Sequence, residues 1–205
     1  MLASHYYNSN GQLVSPATED QSLYGDVISV NSQPWPYLSV EPRKYRFRIL
    51  DASVSRSFKL YLVANNSSSR IPMTVVGSDA GLVSSAVNTT SLVLGIAERW
   101  DVVIDFANYA GRNLTLKNER DFMDNEDYAA TDRIMQFRVG STVTSTAGNS
   151  VPGVLAGHDL PDPVANPAHT FRFERSNGQW LINGCVDFCQ MRRVVLMTVT
   201  QGGLC

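Results

Sequence analysis

The chain has 205 residues and a formal net charge of −2; 43% of its residues are hydrophobic and 18% are charged. A chain of this length buries roughly 70% of its unfolded surface, so a full core needs no disulfide. Too little charge for disorder and no basic excess to neutralise phosphates exclude a disordered tail and a nucleic-acid binder. No run approaches the ~18 apolar residues of a membrane-spanning helix, and the start, Met1-Leu2-Ala3-Ser4-His5, lacks the basic and apolar regions of a signal peptide.

Residues 26–31 alternate apolar and polar, the pattern of a half-buried strand. Pro34-Trp35-Pro36 then forces extended or turn geometry. Residues 44–50 (KYRFRIL) predict a strand with Tyr45, Phe47 and Ile49 on the core face and Lys44, Arg46 and Arg48 outside. Further strands are expected at 58–63, 71–76, 91–94, 99–106, 114–118 and 133–139. Ser78-Asp79-Ala80-Gly81 reads as a turn in which Gly81 takes positive φ, and Arg99 is expected to pair with Asp101, Glu98 or a cross-strand acid. No segment carries a helical period; residues 124–131 read as a loop or a single turn. About eight short strands separated by Gly, Asn, Asp and Ser predict an all-β sandwich or barrel.

Residues 141–149 are small and polar, and Pro152, Pro161, Pro163 and Pro167 follow. The stretch 141–168 therefore reads as an extended linker. Beyond it, 169–174 and 179–183 flank Asn177-Gly178, a strong hairpin turn, as at the start of a second β domain.

Few residues carry chemistry. The cysteines, Cys185, Cys189 and Cys205, all lie in the last 21 residues. Their odd number leaves at least one unpaired within the chain. The three histidines, His5, His158 and His169, form no His-x-His pair. Asp121, Asp124, Glu126 and Asp127 lack the order of a calcium loop and read as a solvated loop. Trp35, Trp100 and Trp180 read as core or interface residues. No nucleophile elbow, phosphate loop or zinc-protease motif occurs. Hence no catalytic, cofactor-binding or metal-binding residue is expected. Asn65, Asn66, Asn88 and Asn113 each begin an Asn-x-Ser/Thr sequon and are candidate glycan acceptors.

Several segments stand out in order along the chain: Tyr24-Gly25-Asp26-Val27-Ile28 with Asn31-Ser32-Gln33-Pro34-Trp35-Pro36, Pro42 to Leu50, Gly77-Ser78-Asp79-Ala80-Gly81-Leu82, Ala97 to Phe106, and Phe171 to Gly178. Together they resemble multicopper oxidases of the bilirubin-oxidase branch, with the bacterial laccases further away. The resemblance implies a cupredoxin-like Greek-key β-sandwich or barrel. It divides the chain into a remnant of a preceding domain and connector (1–22), a copper-free middle domain (23–140), a Pro-rich linker (141–168), the opening of a further cupredoxin domain (169–184) and a divergent tail (185–205). It also implies copper in the full-length family: one site of two His, a Cys thiolate and often a Met, and a cluster fed by His-x-His pairs from the first and third domains. Three unpaired His cannot furnish that cluster. The resemblance thus implies a fragment of an oxidoreductase that uses oxygen as acceptor, with the missing first and third domains as its partners and an extracellular parent. A copper-free binding or structural module is the alternative. The change in cysteine usage at Cys185 is expected to mark a shifted reading frame, a retained intron or a wrong gene model.

Overall fold

The computed structural model describes residues 1–14, 22–123, 125–156 and 171–184. The chain divides into two units, 1–157 and 158–205.

The first unit begins with β1 (Leu2–His5), β2 (Val27–Val30) and β3 (Gln33–Pro34), which form a small antiparallel sheet. β4 (Tyr37–Val40) and β5 (Lys44–Leu50) then enter different sheets. β6 (Phe58–Ala64) is followed by the two-residue β7 (Arg70–Ile71), β8 (Met73–Ser78), β9 (Gly81–Thr89), β10 (Leu92–Leu94) and β11 (Arg99–Asp105). A single 3-10 turn, Ala107–Tyr109, precedes β12 (Asn113–Asn118) and β13 (Arg133–Val139). One sheet has the order β10-β6-β12-β13-β4, with β7 beside β6; the facing sheet has the order β5-β11-β8-β9. β4 runs parallel to β13 although nearly a hundred residues separate them, which requires a long Greek-key crossover.

The all-β expectation holds, and the alternation explains why. On β5, Tyr45, Phe47 and Ile49 pack against the core, while Lys44, Arg46 and Arg48 face outward. Lys44 Nζ lies 2.7 Å from Asp105, and both Arg46 and Arg48 reach Asp101 on neighbouring β11. Between the sheets Phe47, Phe106 and Phe137 meet with ring centroids 5.1–6.4 Å apart, the tilted arrangements that aromatic rings prefer. Fully buried Leu60, Leu62, Leu114 and Ile134 complete the centre.

One expected element changes and two unexpected strands appear. The single strand expected over 71–76 is two: Pro72 separates β7, which pairs with β6, from β8 in the opposite sheet. Proline offers no N–H to a ladder, and here it marks the crossover between sheets. β4 and β9 are strands that the sequence did not signal. Both are largely exposed edges, so neither has the apolar alternation of a strand with a buried face. The turn at 78–81 is a tight hairpin, with Ser78 opposite Gly81 and Gly81 at φ 113°. Arg99 pairs with the cross-strand acid Asp79, whose Oδ1 lies 3.1 Å from its Nε and also accepts the Arg99 N–H.

The described part of the 141–168 stretch is fastened to the sandwich. Glu41 accepts the N–H and hydroxyl of Thr144, Arg43 donates to the carbonyls of Ser145 (2.7 Å) and Ala147 (2.6 Å), and Lys44 N–H donates to Asn149 Oδ1. Further on, Leu155 N–H donates to the Ser84 carbonyl on β9. Two hydrogen bonds from Thr144 hold the Glu41 carboxyl below its ordinary value.

In the second unit, β14 (Phe173–Ser176) and β15 (Gln179–Ile182) form the expected hairpin. Asn177 and Gly178 both have positive φ, 51° and 80°, as a type I′ turn demands.

Gly25 fixes the approach of β1. Its φ is +66°, and a Cβ there would stand 2.4 Å from the His5 nitrogen. Gly25→Ala is expected to lower stability by about 2–4 kcal/mol, measured by urea unfolding; an unchanged midpoint would show that β1 does not need this approach.

Candidate functional site

Among the described residues, three of the buried polar side chains, Asp51, Ser53 and Arg56, lie on the connection 51–57 between β5 and β6. Arg56 has no exposed surface. Its Nε donates to the Tyr24 carbonyl (2.7 Å), Nη2 to the Gly25 and Glu126 carbonyls, and Nη1 lies 3.1 Å from Asp127 Oδ1. Asp127 also accepts the Thr131 hydroxyl and, through Oδ2, the Asp121 N–H. Asn125 clasps Ser57 through both backbone groups: Oδ1 accepts its N–H, and Nδ2 donates to its carbonyl. Beside this clamp the Tyr6 and Tyr128 hydroxyls hydrogen-bond one another. Burial and that neighbour hold the Tyr128 phenol above its ordinary value.

Of the acidic loop expected to be solvated, Asp121 and Glu126 are exposed, whereas Asp127 is turned to the guanidinium. Asp127 is committed to Arg56, and Asp121 contributes its backbone N–H. Asp124 lies outside the described residues. A bare cation site would need these carboxylate oxygens free to converge, and Asp127's are taken.

Asp51 was not singled out by sequence reasoning. It is buried between β1 and the start of β11: its N–H donates to the Glu98 carbonyl, and Ala52 N–H donates to the Leu2 carbonyl. Oδ1 accepts the Ser53 N–H, but Oδ2 meets no donor among the described residues, and the buried hydroxyls of Ser4 and Ser53 are likewise unpartnered there. Burial pushes the Asp51 carboxyl up to about 6. No local pattern marks such a residue, because burial is a property of the assembled fold.

The copper donors implied by the resemblance can be tested against this geometry. His5 lies on β1 with Nε2 3.0 Å from the Ser29 hydroxyl and its ring 6.2 Å from that of Tyr7. Among the described residues no three His, Cys, Asp or Glu side chains come together as metal ligands. Imidazole and thiolate donors are what copper sites take, so the described donor set does not fit copper. His158, His169 and the three cysteines lie outside the described residues. Trp100 packs against the core with its indole N–H unpartnered among the described residues, and Trp35 is exposed at a turn with φ +40°. Trp180 lies on β15, and its side chain is outside the description. All four sequon asparagines are exposed.

No protein-family model matches the chain. It is, however, 42% identical over 207 residues to a bilirubin oxidase of Albifimbria verrucaria, an alignment covering 98% of this chain and 36% of that protein. The chain belongs to the multicopper oxidase family. It is also 36% identical over 159 residues to a laccase of Bacillus subtilis, covering 76% of this chain and 30% of the laccase. Among solved structures, the McoA multicopper oxidase of Aquifex aeolicus superposes with a TM-score of 0.73 at 27% identity, over 90% of this chain and 40% of that one. The sandwich is thus the cupredoxin-like fold of multicopper oxidases. The chain spans about a third of the length of these two curated relatives. Among the described residues no helix is long and apolar enough to cross a membrane.

A carboxyl raised by burial binds its proton more tightly in the folded state than in the unfolded chain. Its stabilising effect is therefore complete below the ordinary carboxyl value of 3.8 and is lost as pH rises toward about 6. Asp51→Asn keeps an acceptor for the Ser53 N–H and removes the titration. Relative to that variant, the native chain is expected to lose on the order of 2 kcal/mol between pH 4 and 7. Parallel urea-stability profiles of the two proteins across that range would contradict it.

Proposed function

We propose that this chain is the architectural part of a multicopper oxidase: a cupredoxin-like middle domain that holds copper-bearing first and third domains at the separation their shared centre needs. The observation that carries the reading is the alignment of 98% of the chain with 36% of a bilirubin oxidase, together with a described donor set that does not fit copper. In this reading 23–140 is the spacer, 141–168 connects it to the next domain, and the hairpin within 169–184 opens that domain. The whole protein would oxidise a phenolic or tetrapyrrole donor, pass the electrons to oxygen and work outside the cell.

What this chain's own residues supply is rigidity. Arg56 ties the 120–131 loop to the entry of β2, the aromatic cluster locks the two sheets together, and the 144–149 strap is pinned to the β4–β5 connection and the start of β5. A spacer that sets a distance must not deform, and close packing with satisfied polar groups provides that.

Two assays on the purified chain test this. After loading with Cu²⁺ and removal of excess metal, no intense blue absorbance and no oxidation of a phenolic dye are expected. A blue, turning-over protein would overturn the spacer assignment.

A further inference from the structure

The four sequons are not equivalent in the folded chain. Asn65, Asn66 and Asn113 meet at one end of the six-stranded sheet, where Asn65 N–H donates to the Asn113 carbonyl across the β6–β12 pair (2.9 Å). Leu114 and Leu116 point into the core, so Asn113 and Thr115, on alternate positions, face outward. Thr115 Oγ1 donates to Asn65 Oδ1 at 2.9 Å and holds that carboxamide against the sheet. Asn66 stands at the tip of the β6–β7 turn with φ +66°, fully displayed. Asn88 is placed differently. It sits on β9 opposite Thr74, whose hydroxyl donates to its Oδ1 at 2.7 Å. With Thr74 it lines a cavity of about 500 Å³ whose other wall is the strap at Asn149, Val151 and Pro152. That strap is held down by Arg43 and the Lys44 N–H.

We infer that Asn66 and Asn113 carry N-linked glycans, whereas Asn65 and Asn88 do not. In the transfer, the carboxamide nitrogen loses one proton and bonds to the anomeric carbon of a lipid-pyrophosphate-linked oligosaccharide; the lipid pyrophosphate leaves. A branched oligosaccharide on Asn88 would have to share the space around the cavity with the strap, which Glu41, Arg43, Lys44 and Ser84 hold in place. One on Asn65 would crowd both Asn66 and the outward face beside Asn113. The inference rests on the extracellular reading of the parent. It adds a consequence: the end of the six-stranded sheet that bears the glycans faces solvent in the full-length protein, so other domains dock elsewhere.

The test is to express the chain behind a supplied secretory leader in a glycosylating yeast and release its glycans with an amidase in heavy-oxygen water. Each formerly glycosylated Asn then becomes a labelled Asp, located by tandem mass spectrometry. Label is expected at 66 and 113 and not at 65 or 88. Asn66→Gln and Asn113→Gln should each remove one mobility step, and the double variant all of them. Label at Asn88 or Asn65, or at neither Asn66 nor Asn113, would overturn the assignment. Because the leader is supplied, such a result counts against the sites; fractionating the native producer tests the extracellular reading separately.

Discussion

A guanidinium with no exposed surface is the constraint on which the rest of this sandwich depends. Taking Arg56 out of water costs several kcal/mol unless it is fully paired. The structure meets that demand with three backbone carbonyls and one carboxylate drawn from two distant segments. One partner segment, Tyr24-Gly25, is the entry to β2; the other is the loop before β13. Satisfying one side chain thus joins the small sheet to the main one. The Gly25 backbone approach and the Asn125 clasp on Ser57 both lie within this assembly.

The strands that were legible in the sequence are those with a buried face. β11 and β12 bury alternate residues, and β5 packs alternate aromatic and aliphatic residues against the core; alternation is what reading along the chain detects. β4 and β9 form edges, and their side chains are largely exposed. Their strand character comes from backbone pairing with β13 and β8, which no local pattern reports. Pro72 shows the opposite limit: the apolar run 71–76 continues across it, but its missing N–H divides the run between two sheets.

The polar residues divide in a similar way. The scarcity of His and the absence of His-x-His were visible by counting. The role of Asp121 and Asp127 was not, because an acidic loop looks the same whether it faces water or a buried arginine. Asp51 was invisible for a related reason, since its raised pKa is a consequence of burial by β1, a strand some fifty residues earlier. The same holds for the sequons: four equal motifs in the sequence become two displayed carboxamides and two held ones only once β6, β12 and the strap are in place.

The loop before β13 clamps Arg56 through the Asp127 carboxylate and the Glu126 carbonyl. Urea unfolding of Arg56→Lys tests this most directly. Lysine keeps the charge but cannot reach all four partners as a planar fork does. A loss of about 3–5 kcal/mol is expected, with an unchanged m-value. Stability equal to that of the native chain would contradict it.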